Sequence, residues 1–166
     1  PGPHLHGDLL DALDLGWDLL IAHPPCTYLA ASGARWFKLR HPDLQRSAIA
    51  FARRLLECPI PKICIENPVG VLSSTLRKPD QVIQPYHFGH HASKRTCLWL
   101  TGLPLLHAPM RGLPPVAIWT RDGSAASRWS NQTPCGADRT SQGPRRGRER
   151  SRTFPGVAEA MANQWG

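Results

Sequence analysis

The chain has 166 residues, 41 % of them hydrophobic, with 17 Pro, 14 Gly and a net charge of +8. Pro and Gly make up nearly a fifth of it, against an average of about 12 %, which disfavours an all-helical bundle, while the apolar content excludes disorder throughout. No stretch approaches the roughly 20 apolar residues of a membrane span, and the first residues carry no basic-then-apolar leader, so a loop-rich, cytoplasmic domain is expected.

In chain order, Asp18 to His23 is a short apolar run between Gly16-Trp17 and Pro24-Pro25. It reads as a strand buried on both faces. Cys26 to Asp43 reads as a loop. From Asp43 to Glu57 the period becomes helical: Leu44, Ala48, Phe51, Ala52 and Leu55 share one face, and Pro59 ends the element. Lys62 to Asn67 is a second buried strand, stopped by Pro68. Strand, loop, helix and strand make a βαβ unit, hence an α/β fold with a parallel sheet.

Gln81 to Phe88 and Lys94 to Leu100 read as two further strands, joined as an antiparallel hairpin by the turn Gly89 to Ser93. After Gly102 the chain turns Pro-rich, and 121–152 reads as a long surface loop. Ala158 to Trp165 has helical composition. The expected organisation is a catalytic part over 1–102, a variable Pro/Arg-rich region over 103–152 and a returning helix over 153–166.

Charge is unevenly spread. Residues 121–152 hold eight Arg, no Lys and three acids, whereas 1–120 hold 12 Lys/Arg against eight acids. An Arg-only excess suits phosphate contact, with a solvated basic loop as the plain alternative. The five cysteines form no Cys-x-x-Cys pair, so neither a disulfide framework nor a zinc knuckle is indicated. Cys58, Cys64 and Cys97 read as buried spacers. His87, His90, His91 and Cys97 crowd together without a zinc spacing, and the turn His90-His91 is expected to expose both rings, so no metal is assigned. Trp36, Trp99, Trp119, Trp129 and Trp165 read as packing residues.

Reactive groups stand at the carboxyl ends of both early strands, where open parallel sheets build their sites. The first ends in His23-Pro24-Pro25-Cys26 and the second in Glu66-Asn67-Pro68. If the strands are neighbours, Cys26 and Glu66 open into one cleft. A thiol and a carboxyl group there fit nucleophilic addition to an electron-poor ring.

Pro25-Cys26 after one strand and Glu66-Asn67 after the next resemble the motifs of the DNA cytosine-5 methyltransferases. Asp18 to Leu29, Ile60 to Val69, Gln81 to Leu100 and Glu149 to Trp165 are more narrowly similar to small phage-type and prophage-type members. The resemblance implies a Rossmann-like, S-adenosylmethionine-dependent methyltransferase fold. It makes Cys26 the nucleophile on carbon 6 of a cytosine, with Glu66 hydrogen-bonded to ring nitrogen 3 and the amino group. It gives Asn67 the role of holding that loop. Lys94-Arg95-Thr96 is similar in position to the family's basic motif, making Arg95 a candidate support for the substrate site or, plainly read, a strand-edge charge. Gly7-Asp8 resembles the motif whose Asp contacts the cofactor's adenine, although Asp8 is equally an ordinary helix cap. Pro24 and Pro25 join Asp8 as cofactor candidates.

Double-stranded DNA is the implied partner, with the target base flipped out of the helix. Arg145, Arg146, Arg148, Arg150 and Arg152 would contact its phosphates. The family's glycine-rich cofactor turn has no counterpart before Pro1, and without that first strand the run 18–23 becomes a sheet edge. The expectation is therefore an N-terminally truncated member, or a fragment whose front half lies elsewhere on a segment or partner chain, that binds S-adenosylmethionine weakly or not at all. A bacterial or phage-infected cell is the implied setting. The competing expectations are a non-catalytic nucleic-acid-binding remnant and a nucleotide-level pyrimidine carbon-5 transferase.

Overall fold

The computed structural model describes residues 4, 6–33, 42–109, 112–120, 122–137, 139 and 151–166. Two compact units divide the chain, Pro1–Val82 with Thr96–Leu105, and Ile83–Arg95 with Leu106–Gly166.

In the first unit, β1 (Leu19–Ala22) runs parallel to β2 (Lys62–Pro68), with Leu19 opposite Lys62 and Ala22 opposite Ile65. The crossover between them holds α2 (Pro42–Leu56); α1 (Leu9–Ala12) precedes β1. Pro42 opens α2, where its missing N–H costs no helical bond. Ala52 and Leu55 are fully buried, and Ala48, Ile49 and Phe51 pack on the same core. Leu44, expected on that face, is 45 % exposed. It sits in the first turn, and the stripe that meets the core begins one turn later at Ala48.

The sheet is mixed rather than parallel. With β3 (Gln81–Ile83) and β4 (Thr96–Thr101), its order is β1-β2-β4-β3, and β4 runs antiparallel to β2, setting Glu66 opposite Leu98 and Pro68 opposite Thr96. β1 is thus an edge strand, with only half-buried Leu19, Leu20 and Ile21. Beside it lies a cavity of about 520 Å³ lined by Leu9, Ala12, Leu13, Trp17, Leu19 and Leu20 among others. In the core, Trp99 is fully buried and its Nε1 donates to the Arg77 carbonyl at 2.8 Å.

The strand expected over 81–88 is shorter. β3 covers Gln81–Ile83, and Pro85–Phe88 form a 3₁₀ turn. Pro85 has no N–H for a ladder and instead starts this turn, so no tight hairpin over Gly89–Ser93 forms. Lys94 is likewise outside β4, because its amide donates to the Gln84 side chain at 3.0 Å.

In the second unit, β5 (Val116–Trp119) and β6 (Ala125–Arg128) pair antiparallel, with Trp119 opposite Ala125. Part of the predicted 121–152 loop is therefore strand. The hairpin follows from apolar Val116 to Trp119 and the Asp122-Gly123 turn, where Gly123 takes φ +80°. Trp119 is not a packing residue: it is 77 % exposed on a hairpin face whose other members, Ala117, Ala125 and Ser127, are also exposed. Trp129 stacks on Tyr86 at 4.2 Å, and Trp165 is buried; Trp36 lies outside the described residues. The last helix, α3 (Pro155–Trp165), starts three residues before the expected Ala158, since proline suits a first helical turn. Val157, Ala160, Met161 and Trp165 form its buried stripe. No described helix is long and apolar enough to cross a membrane.

Candidate active site at the ends of two parallel strands

The β1–β2 register sets Ala22 beside Ile65. Continued by one and two residues, it brings His23 to Glu66 and Pro24 to Asn67. Both pairs are bonded: His23 Nδ1 lies 2.5 Å from Glu66 Oε2, and Asn67 Nδ2 donates to the Pro24 carbonyl at 2.8 Å. Asn67 is 1 % exposed and Glu66 8 %, while His23 remains open to solvent. A buried carboxylate is costly without partners, so the imidazole contact is a condition of Glu66 occupying this place. Asn67 Oδ1 has no hydrogen-bond partner among the described residues.

Cys26 follows two residues after Pro24, half-buried, as the first residue of a 3₁₀ turn (Cys26–Tyr28). Its carbonyl accepts from Leu29 N at 3.1 Å and Ala30 N at 3.0 Å. Gln45 of α2 donates to the Tyr28 carbonyl at 3.0 Å, tying helix to turn. The segment after Asn67 is stitched to this turn. Ala31 N donates to Val69 O and Val71 N to Leu29 O, both at 2.9 Å, around an antiparallel bridge between Ala30 and Gly70. A Cβ on residue 70 would stand 1.9 Å from the Leu29 carbonyl oxygen, so only glycine permits this approach.

The thiols are sorted by their surroundings. Burial, and secondarily Glu66, push Cys64 up to about 12, which keeps it a neutral thiol. Cys58 and Cys97 are also buried. Cys135 is exposed in the second unit, and a hydrogen bond with the Thr133 hydroxyl at 3.0 Å leads the causes that lower its pKa. Cys26 is the half-buried thiol on the turn that follows β1, and that turn is tied by backbone bonds to the segment after Glu66-Asn67, whose Glu66 has one oxygen bonded to histidine. That pairing can add sulfur to an electron-poor ring and hand the ring a proton.

The other sequence candidates are placed as follows. Arg95 is exposed and belongs to the second unit. Arg152 is exposed there too, its carbonyl accepting from Lys94 Nζ at 3.2 Å. Arg145, Arg146, Arg148 and Arg150 lie outside the described residues. Asp8 caps α1, accepting from Leu10 N at 2.9 Å. Pro24 is buried with its carbonyl engaged by Asn67, and Pro25 is exposed. Asp8 is thus used as a helix cap, and the Pro24 carbonyl is turned to Asn67.

Neither His90 nor His91 is an exposed turn ring. His90 Nε2 accepts from Gly156 N at 2.9 Å, and His91 Nε2 lies 3.0 Å from the Pro114 carbonyl. Among the described residues no group of three His, Cys, Asp or Glu side chains could hold a metal ion.

Sequence reasoning gave no role to His23 or Gly70. His23 was within reach, because a parallel register that buries Ile65 beside Ala22 sets residue 23 against residue 66. Comparison with protein-family models, curated proteins and solved structures gave no match.

Proposed function

We propose that this chain is an enzyme of the DNA cytosine-5 methyltransferase type whose own residues form the covalent cysteine–cytosine adduct. One observation carries the reading. The turn bearing Cys26 is joined to the Glu66-Asn67 end of β2 by the His23–Glu66 contact, the Asn67–Pro24 hydrogen bond and the Ala30–Gly70 bridge.

In the reaction the Cys26 thiolate forms a bond to carbon 6. The ring π electrons shift toward nitrogen 3, which takes a proton from the Glu66 carboxylic acid. Carbon 5 becomes nucleophilic and Glu66 is left as carboxylate. Once a methyl donor has supplied its methyl group to carbon 5 and water has taken the carbon 5 proton, the reverse flow breaks the sulfur–carbon bond, regenerates the Cys26 thiolate and returns the nitrogen 3 proton to Glu66. Asn67 fixes the backbone before Cys26, which holds the sulfur at a set distance from the acid. S-adenosylmethionine is the methyl donor that the resemblance implies, and the addition of Cys26 and the proton transfer from Glu66 precede its use.

Charge supports a polyanionic substrate. The second unit carries 11 Lys/Arg against four acids, a net +7, and the first nine against eight, a net +1. Such segregation favours DNA over a free nucleotide, since counterion release scales with the phosphates neutralised. The target base must be extruded to reach a half-buried thiol.

The test is trapping. Duplex DNA carrying 5-azacytosine, which needs no methyl donor to be held, and 5-fluorocytosine DNA with S-adenosylmethionine are each incubated with the protein. A mass-verified adduct at Cys26, lost in Cys26→Ala and Glu66→Gln, is the expected result. DNA binding without any adduct refutes the enzyme. It would favour the binding-remnant reading, which the engaged Asp8 and Pro24 support.

A further inference from the structure

Glu66 has two oxygens, and only one is available to a substrate. Oε2 is 2.5 Å from His23 Nδ1, and no described residue bonds Oε1. The imidazole belongs to neither reacting group. Its side chain is 44 % exposed, that of Glu66 only 9 %, so the ring stands between a buried carboxyl group and water. The other groups around Glu66 cannot do its work. Leu98 is opposite on β4, Cys64 on β2 stays a neutral thiol, and the Asn67 amide is committed to Pro24.

We propose that His23 is the positioning residue of Glu66. It donates Nδ1–H to Oε2, locks the carboxyl rotamer and leaves Oε1 as the oxygen that carries the proton to the base. This role rests on the reading of function above. It follows from proton bookkeeping at one carboxyl group. A carboxylic acid that must donate to ring nitrogen 3 carries its hydrogen on one oxygen and can accept on the other. An N–H donor on Oε2 stabilises that arrangement, and it also stabilises the carboxylate left after transfer. An unanchored Glu66 would sample rotamers in which its proton misses the ring, and acid–base assistance falls off with such misplacement.

Asparagine is the discriminating substitution, because its Nδ2 can donate from nearly the place of the histidine Nδ1 while lacking the ring. His23→Ala is expected to slow 5-azacytosine adduct formation by roughly 10- to 100-fold, the worth of one hydrogen bond to a charged group. DNA affinity should stay within about 2-fold of wild type, since the change acts after binding. His23→Asn should restore the rate to within about 5-fold, and His23→Ala should add nothing in a Glu66→Gln background. On the same samples, side-chain ¹⁵N NMR should find the His23 proton on Nδ1. Adduct formation by His23→Ala at the wild-type rate, or a proton on Nε2 with Nδ1 bare, overturns the proposal while leaving the reading of function intact. A wild-type protein that never forms the adduct sinks that reading instead, and the NMR result then decides the pairing by itself.

Discussion

Gly70→Ala gives the sharpest test of the stitched turns. Gly70 is not among the residues with positive φ, so its backbone would accept alanine without strain. On propensity alone the substitution should stabilise the fold by about 0.4–1 kcal/mol, through a less flexible unfolded chain. Sterics oppose this: the new Cβ would lie 1.9 Å from Leu29 O and 2.9 Å from Ala30 Cα, both backbone atoms. A C···O contact relaxes to about 3.3 Å, so the two turns must part by more than an ångström. The Ala31–Val69 and Val71–Leu29 bonds, now 2.9 Å, would then leave hydrogen-bonding range. Each is worth about 1 kcal/mol net, and the crowding about 1–3 kcal/mol. The expected outcome is destabilisation by about 3 kcal/mol. With a urea slope of about 2 kcal/mol/M, the midpoint falls by roughly 1.5 M. Amide exchange at Ala31 and Val71 should accelerate before the rest of the first unit. Because Cys26 moves with its turn, adduct formation should drop on the order of 100-fold. A variant as stable as wild type, with both amides still protected, would mean that the close approach at residue 70 is not what holds the two turns together.

Alkylation of native protein with iodoacetamide, followed by mass spectrometry, should label exposed Cys135 first and half-buried Cys26 second, leaving Cys58, Cys64 and Cys97 untouched until unfolding. The Cys64 thiol is raised to about 12 by burial and by Glu66, so its contribution to stability is complete below its unfolded range of about 9 and is lost as pH climbs toward 12, a sign that alkaline unfolding of Cys64→Ala against wild type checks. Asp122 is held at about 2, first by the Thr120 hydroxyl and then by Ser124. Its turn should therefore keep its NMR shifts until pH falls below the ordinary carboxylate range, and Thr120→Val should bring that change to higher pH. Replacing Arg145, Arg146, Arg148, Arg150 and Arg152 by Gln should reduce the slope of log K against log salt for DNA by about four, an outcome read by fluorescence anisotropy and contradicted by an unchanged slope.

The parts legible in the sequence share one property, a local pattern strong enough to survive its context. The apolar runs ending at His23 and Asn67 form strands and the stretch before Pro59 a helix, because strands and helix stripes are written in consecutive residues, but β1 is a half-buried edge strand rather than one buried on both faces. Strand direction is not. Nothing in Thr96 to Thr101 says that it inserts beside β2 rather than pairing tightly with Gln81 to Phe88; that is decided by Glu66, Asn67 and Pro68 finding Leu98, Cys97 and Thr96 across the sheet. Pro85 was a visible objection to the longer strand, and Asp122-Gly123 a visible hairpin signal inside a stretch whose Ser, Gly and Arg content read as loop. At the candidate site, residue types pointed to Cys26 and Glu66. The partners that fix them depend on pairs 43 residues apart.

The Ala30–Gly70 bridge makes two loops distant in sequence into one mechanical part. The turn that carries the sulfur and the segment that follows the carboxyl group are joined backbone to backbone, so neither backbone shifts without the other. The conformational entropy of bringing the two turns together is surrendered once, when the first unit folds, and not again at each encounter with a substrate. A substitution in either loop will therefore be felt in the chemistry of both.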